Sequence, residues 1–212
     1  MIRFATLAAL AALTLPLAAQ DVQVFGGKGE RAASTMVFFS DKPEGGISLS
    51  HGQPLWRDEY NAMLPQLAGK MHRLGKDWWT TFDNSMKLTI GGAELPAGSW
   101  FCGLEVNDAG VFHLVFLDSS KAMKEGVMPF MPATWKPEHK VPLVLHKDKL
   151  QAVVEKMTME IKGDAKQAEL TLSWGKHVLH ADVKVHLAGN GQGEAKGAEK
   201  KDGDKKDAKS AK

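Results

Sequence analysis

The chain has 212 residues, 43% hydrophobic and 25% charged, which excludes a wholly disordered polymer and fits one ordinary globular domain or two small ones. Its net charge of +2 sits at the ends: residues 1–19 carry one positive charge, Arg3, and residues 188–212 carry seven Lys against five acids. The 168 residues between hold 19 basic and 20 acidic side chains, enough length for a real core and too neutral a balance to select a nucleic-acid partner.

In chain order, Arg3 precedes an apolar run from Ala5 to Leu15, and Pro16 then leads to Leu17, Ala18, Ala19 and Gln20. This order of charge, apolar run and small residues is that of a secretory signal over residues 1–19, cleaved before Gln20. The run is shorter than the roughly 20 residues that span a bilayer, so no transmembrane segment is expected. No twin arginine precedes it and no Cys follows closely, so the protein is expected to be exported, periplasmic or secreted.

Residues 20–32 read as an N-terminal lead and 33–187 as one β domain. Alternating apolar and polar residues predict strands over Thr35–Phe39, Gly46–Ser50, Lys87–Ile90, Ser99–Val106, Val111–Leu117, Val141–Lys147, Ala152–Lys162, Glu169–Trp174 and His177–Leu187. Only Arg57 to Leu74 hints at helix, and Pro65 interrupts it. Many short strands predict an all-β fold, an antiparallel β-sandwich of jelly-roll or immunoglobulin-like kind.

Cys102 is the single cysteine, so no intramolecular disulfide can form and the core must hold the fold. Its parity with Trp100, Leu104 and Val106 makes it a buried small hydrophobe. Between Asp118 and Lys140 the pattern is irregular, with Met123, Met128, Phe130, Met131 and Trp135 among three prolines. Such a loop covers a core edge; three Met and His139 could instead hold Cu(I), but the Met spacings follow no repeat.

If Gly175-Lys176 is a two-residue hairpin loop, Trp174 faces His177, Leu172 faces Leu179 and Leu170 faces Ala181 on one apolar side. Thr171 then faces His180, and Glu169 faces Asp182, on the other. A one-residue slip would scramble that segregation. Residues 188–212 contain no aromatic or β-branched residue and read as a disordered, solubilising, Lys-rich tail.

The segment Leu88 to Trp100 contains Ile90-Gly91-Gly92, then Leu95-Pro96-Ala97-Gly98 and Trp100. It resembles the V-G-G-x-x-L-P-A-G-x-Y motif of the bacterial domain of unknown function 2911 family. Arg73, Gly75 and Thr80 are similar to that family's W-R-T-G-A-N motif and its following threonine, with His72 in place of Trp and Asp77 in place of Asn. At the family's Y-S-R-P stretch only Ser50 is kept, beside His51. The closing L-x-L-x-W-x-K reappears as Leu170 to Lys176. The resemblance spans residues 33 to 187, implies one exported all-β domain, and carries no established activity or catalytic residues.

For a site, the loop with His72, Arg73, Lys76, Asp77 and Trp78 stands first, since a guanidinium and an ammonium beside indole faces can hold an anionic or sugar-like ligand. In the plainer alternative Arg73 ties down the loop through a carbonyl or Asp77, and Trp78 or Trp79 is core. Glu169, His180 and Asp182 on one outer strand face are weak metal candidates, because facing carboxylates invite a cation, though Lys184 could also relieve them. No nucleophile elbow, H-E-x-x-H, phosphate loop or dinucleotide fingerprint occurs, and Asp58 and Asp83 cannot be paired from sequence.

The sequence leans away from catalysis, and no cofactor is expected. The expected role is a ligand-binding or interaction module for a small molecule, a carbohydrate-like ligand or an envelope partner. A hydrolase-like enzyme with Arg73 and His72 or His51 in a loop cleft is the alternative, and a purely structural envelope protein a further one. Oligomeric state is left open.

Overall fold

Inward apolar and outward polar side chains alternate along most strands of an antiparallel sheet, the pattern of a half-buried strand. The computed structural model describes residues 29–187, so the expected signal 1–19, most of the lead and the tail 188–212 lie outside the described residues. The strands are β1 (Arg31–Phe39), β2 (Pro43–Gly52), β3 (Lys70–Arg73), β4 (Thr80–Asn84), β5 (Leu88–Ile90) and β6 (Ala93–Leu95). They continue as β7 (Gly98–Val106), β8 (Phe112–Asp118), β9 (His139–His146), β10 (Val154–Gly163), β11 (Ala168–Gly175) and β12 (His177–Val185).

The strand order is β1-β2-β4-β7-β8-β9-β12-β11-β10, with β3 on β7 and with β5 between β12 and β6. β9 is the fold line: Val141 and Leu143 pair with β8, while Val144 to His146 pair with β12. One continuous sheet is thereby doubled into two layers. Ile47, Phe82, Leu114 and Phe116 of the first layer meet Met159, Ile161, Leu170 and Val183 of the second in a single core. The antiparallel all-β expectation holds, and the two layers are halves of one sheet.

The β11–β12 hairpin has the expected register at every position, from Ala168↔Val183 to Trp174↔His177. Between Arg57 and Leu74 only α1 (Tyr60–Met63) is α-helical, followed by a 3₁₀ turn at Leu64–Gln66 that begins around Pro65. The chain then enters β3, a strand the sequence pattern did not predict. On the outer face of β7 and β8, Trp79, Phe101, Leu117 and Trp135 form a second cluster beneath α2 (Ser119–Lys124). Trp135 supplies the core-edge packing expected of the irregular loop, while Met123, Met128, Phe130 and Met131 are exposed.

Doubling the sheet brings its two ends, β1 and β10, face to face, and side chains close the seam. Ile161 N–H donates to Ser34 Oγ at 3.2 Å, and Ser34 Oγ donates to Ile161 O at 3.2 Å. Met159 N–H donates to His51 Nε2 at 3.0 Å, so the neutral ring carries its hydrogen on Nδ1, which lies 3.2 Å from Gly52 O. Beyond β2, Met157 N–H donates to Pro54 O and Trp56 N–H to Glu155 O.

Burial first, with Arg31 adding to it, holds the His51 imidazole below the usual histidine value, although its bond to Gly52 O opposes this. The native state therefore takes up a proton less readily than the unfolded chain. His51 contributes stability that is complete above about pH 6.5 and is lost as the pH falls through and below that value. The urea midpoint of the full chain should fall between neutral and mildly acid pH. His51→Leu should start about 1–3 kcal/mol less stable, because Met159 N–H loses its acceptor, yet fall less steeply. An equal fall in both proteins would remove His51 as its source.

Candidate functional site

Strand β3 separates the residues expected to act together. Leu74 lies in the main core and Met71 packs on the outer cluster, so alternation sends His72 inward and Arg73 outward. His72 Nε2 lies 3.0 Å from Leu67 O. The side chain of Arg73, half-buried opposite Gly103, makes no hydrogen bond or ion pair with another described residue. Lys76 is half-buried, with its carbonyl packed over Gly52. Asp77 is exposed at φ 65°, its carboxylate filling the place a side chain on Gly29 would take. Trp78 is 40% exposed, whereas Trp79 is buried, stacked on Phe101 at 4.8 Å and 3°. His72 and Arg73 thus lie on opposite faces of β3, and His51 is built into the seam.

On the outer face of the β11–β12 hairpin, His180 Nε2 lies 3.3 Å from Glu169 Oε2 and 3.5 Å from Asp182 Oδ1. The imidazole sits between the facing carboxylates. Among the described residues no group of three or more His, Cys, Asp or Glu is placed to hold a metal ion. His139 packs edge-on against Trp100. Cys102 is buried, and burial pushes its thiol pKa well up, with Asp83 adding to the effect. That leaves it a small hydrophobe.

A different place gathers the chemistry. At one end of the doubled sheet, where β7 leads to β8 and β11 turns into β12, the core is unfilled over a space of 210 Å³. Its walls are Leu104, Phe112, Leu145, Leu172 and Leu179, with Trp174 and His177 at the rim. The segment from Trp56 to Leu67 covers it. Trp56 stands edge-on to both Tyr60, at 5.7 Å, and Trp174, at 5.2 Å.

The polar atoms of this wall are spent elsewhere. Trp174 Nε1–H donates to Pro54 O at 3.0 Å. His177 Nδ1 accepts from Asp148 N–H at 3.3 Å, so Nε2 carries the hydrogen of the neutral ring and donates it to Asn61 Oδ1 at 2.9 Å. The chamber is therefore an apolar space. Its cover is lightly built: α1 and the 3₁₀ turn bury no residue and have no side-chain cap. The segment is tied at one end by the Leu55↔Lys156 bridge and ends at Gly69, φ 73°. Beyond Trp56 and Asn61 opens an outer cleft of 280 Å³, with Asp58, Asp148 and Lys176 around it. The sequence held one signal for this place: the hairpin register put Trp174 and His177 together at the end of the inward face.

A doubled antiparallel sheet with an apolar pocket at its open end, between its layers, defines an all-β domain. No helix among the described residues is long and apolar enough to cross a membrane. The chain belongs to the family described as Protein of unknown function (DUF2911), whose family model matches residues 41–183. No curated protein and no solved structure matches it.

The family's motifs have structural explanations here. Gly75, at φ 81°, packs against Gly52 O, and Thr80 Oγ1 donates to Leu74 O at 2.9 Å, together setting the turn from β3 to β4. Gly91 and Gly92, at φ 56° and 84°, join β5 to β6. Only Gly91 is also crowded: a Cβ there would stand 2.5 Å from Pro142 O, while at Gly92 it would meet open space. Gly91→Ala should lower the unfolding free energy by about 1–3 kcal/mol more than Gly92→Ala, measured by chemical denaturation. Equal losses would mean that backbone conformation alone demands both glycines.

Proposed function

We propose that this chain is an exported binding module whose end chamber takes one small apolar group. The export rests on the charged, apolar and small-residue order of residues 1–19. The observation that carries the binding role is the 210 Å³ apolar space beneath a lightly held cover. Ligand sites favour the mouths of closed or nearly closed sheets and combine apolar walls with a few fixed polar groups. This chamber is larger than the roughly 150 Å³ that accepts a benzene ring and smaller than a drug-sized pocket, which suits one aromatic ring or a short branched alkyl group. A carbohydrate fits it poorly, because hydroxyls placed among Leu104, Phe112 and Leu145 would lose their hydrogen bonds.

Small aromatic alcohols should raise the melting temperature by roughly 3–5 °C at ten times their dissociation constant. They should also perturb the fluorescence of Trp56 and Trp174, which border the chamber. Leu172→Phe, which fills part of the space, should abolish both effects while leaving the fold at least as stable. If a series of benzyl, indolyl and short alkyl compounds shifts neither signal, the chamber is not a binding site.

A further inference from the structure

The irregular loop from Asp118 to Lys140 leaves its sulfurs at the surface instead of in the core. Trp135 takes the buried place, 3% exposed, whereas Met128 and Met131 are 40% and 51% exposed, so packing accounts for little of either side chain. Met131 N–H donates to Met128 O at 3.2 Å, which closes a β-turn with Pro129 at its second position, where a fixed φ favours such a turn. The two methionines are the ends of that turn, so their Cα atoms lie within about 7 Å of each other. Both backbones are held. Met128 O also accepts from Trp135 Nε1–H at 2.9 Å, and Met131 O accepts from Thr134 N–H at 3.0 Å and Thr134 Oγ1 at 2.8 Å. Both residues line one open pocket of 360 Å³ between α2 and this loop, together with Leu117, Ala122 and Val127 of the second cluster.

We infer that Met128 and Met131 form a two-thioether site for a soft monovalent cation, Cu(I) or its redox-inert analogue Ag(I). The donor chemistry selects the ion: a thioether is a neutral, polarisable ligand that favours Cu(I), whereas magnesium and calcium seek oxygen. The turn makes the donors a pair, since it brings the two backbones together and leaves only side-chain torsions to be fixed when the ion binds. The charge is compatible as well. Three carboxylates and two ammonium groups line the pocket, a balance of one negative charge, and Lys121 is held by Glu138 at 2.9 Å. His139, the nitrogen donor that the sequence offered, lies outside this pocket, packed edge-on against Trp100. The pocket shares no lining residue with the chamber, so the site stands independently of the binding role proposed there.

The test is calorimetric titration of the full chain with Ag(I) in chloride-free buffer, joined to competition for Cu(I) against bicinchoninate with ascorbate as reductant. A single ion should bind per chain, and an excess of Zn(II) should not displace it. Met128→Leu and Met131→Leu, which keep the side-chain volume, should each weaken binding by about tenfold with unchanged near-ultraviolet circular dichroism. Met123→Leu, at a methionine exposed nearby on α2 but outside the pocket, should bind as the unaltered chain does. Absence of binding overturns the site, and an equal loss at Met123 overturns the pair. Binding that either Met128→Leu or Met131→Leu leaves intact, that Zn(II) displaces, or that a folded Cys102→Ala variant abolishes also overturns it, because the ion would then sit on other donors, imidazole or the buried thiol among them.

Discussion

The constraint on which the rest of the structure depends is the closing of a single sheet upon itself. Folding at β9 buries the apolar faces of both layers but leaves two strand edges, β1 and β10, whose amides need partners. A continuous backbone ladder does not join them. Ser34 offers one hydroxyl to both polar groups of Ile161, and His51 offers a ring nitrogen to Met159. The chain leaving β2 then runs beside β10, with Pro54 accepting from Met157 and Trp56 donating to Glu155. That same stretch positions the chamber's cover, because Pro54 O also accepts from Trp174 Nε1 and Trp56 is the first residue of the covering segment. Seam, cover and chamber wall thus share a few residues.

Much of the sheet was legible because its strands obey simple alternation. The β11–β12 pairing followed from Gly175 and from the segregation of Leu170, Leu172 and Trp174 from Glu169 and Thr171. Strand β4 was hidden for the opposite reason. Its sequence, Thr-Thr-Phe-Asp-Asn, looks exposed, yet Thr80 and Asn84 are buried. Their polar atoms are satisfied locally: Thr80 bonds Leu74 O, while Asn84 donates to Met86 O and Pro96 O and accepts from Trp100 Nε1. A reading that counts polar residues as outward cannot see a buried network whose partners are mostly loop carbonyls that the fold brings near. Strand β3 lies inside the stretch that hints at helix, and the three residues of β6 lie between the Gly91-Gly92 and Pro96 turns.

The site was less legible than the fold, and the reason is geometric. His72, Arg73 and Trp78 are close in sequence, but a strand sends neighbours to opposite faces, so nearness along the chain separated the first two. Trp79 was the indole that became core, and Trp78 the one left at the surface. The chamber, by contrast, draws on β7, β8, β9, β11, β12 and the covering segment, and no local pattern links Trp56 to Leu145 or Leu179. The signals were spread over more than 120 residues of chain, from Trp56 to Leu179. Only the end of the hairpin, where Trp174 meets His177, concentrated them enough to be read.

The chamber also explains why two polar aromatic residues can stand at the open end of an apolar core. An empty apolar space forfeits dispersion contacts along its whole lining, and a domain with no disulfide has little stability to give away. Collapse is resisted because the walls belong to paired strands, with Leu172 facing Leu179 and Leu104 facing Leu114 across their ladders. Flooding is discouraged as well, since Trp174 and both nitrogens of His177 are already bonded and offer water nothing. The proposed binding role rests on that rigid apolar lining. Among the described residues, the segment from Trp56 to Leu67 is the part of that lining that lies outside the paired strands.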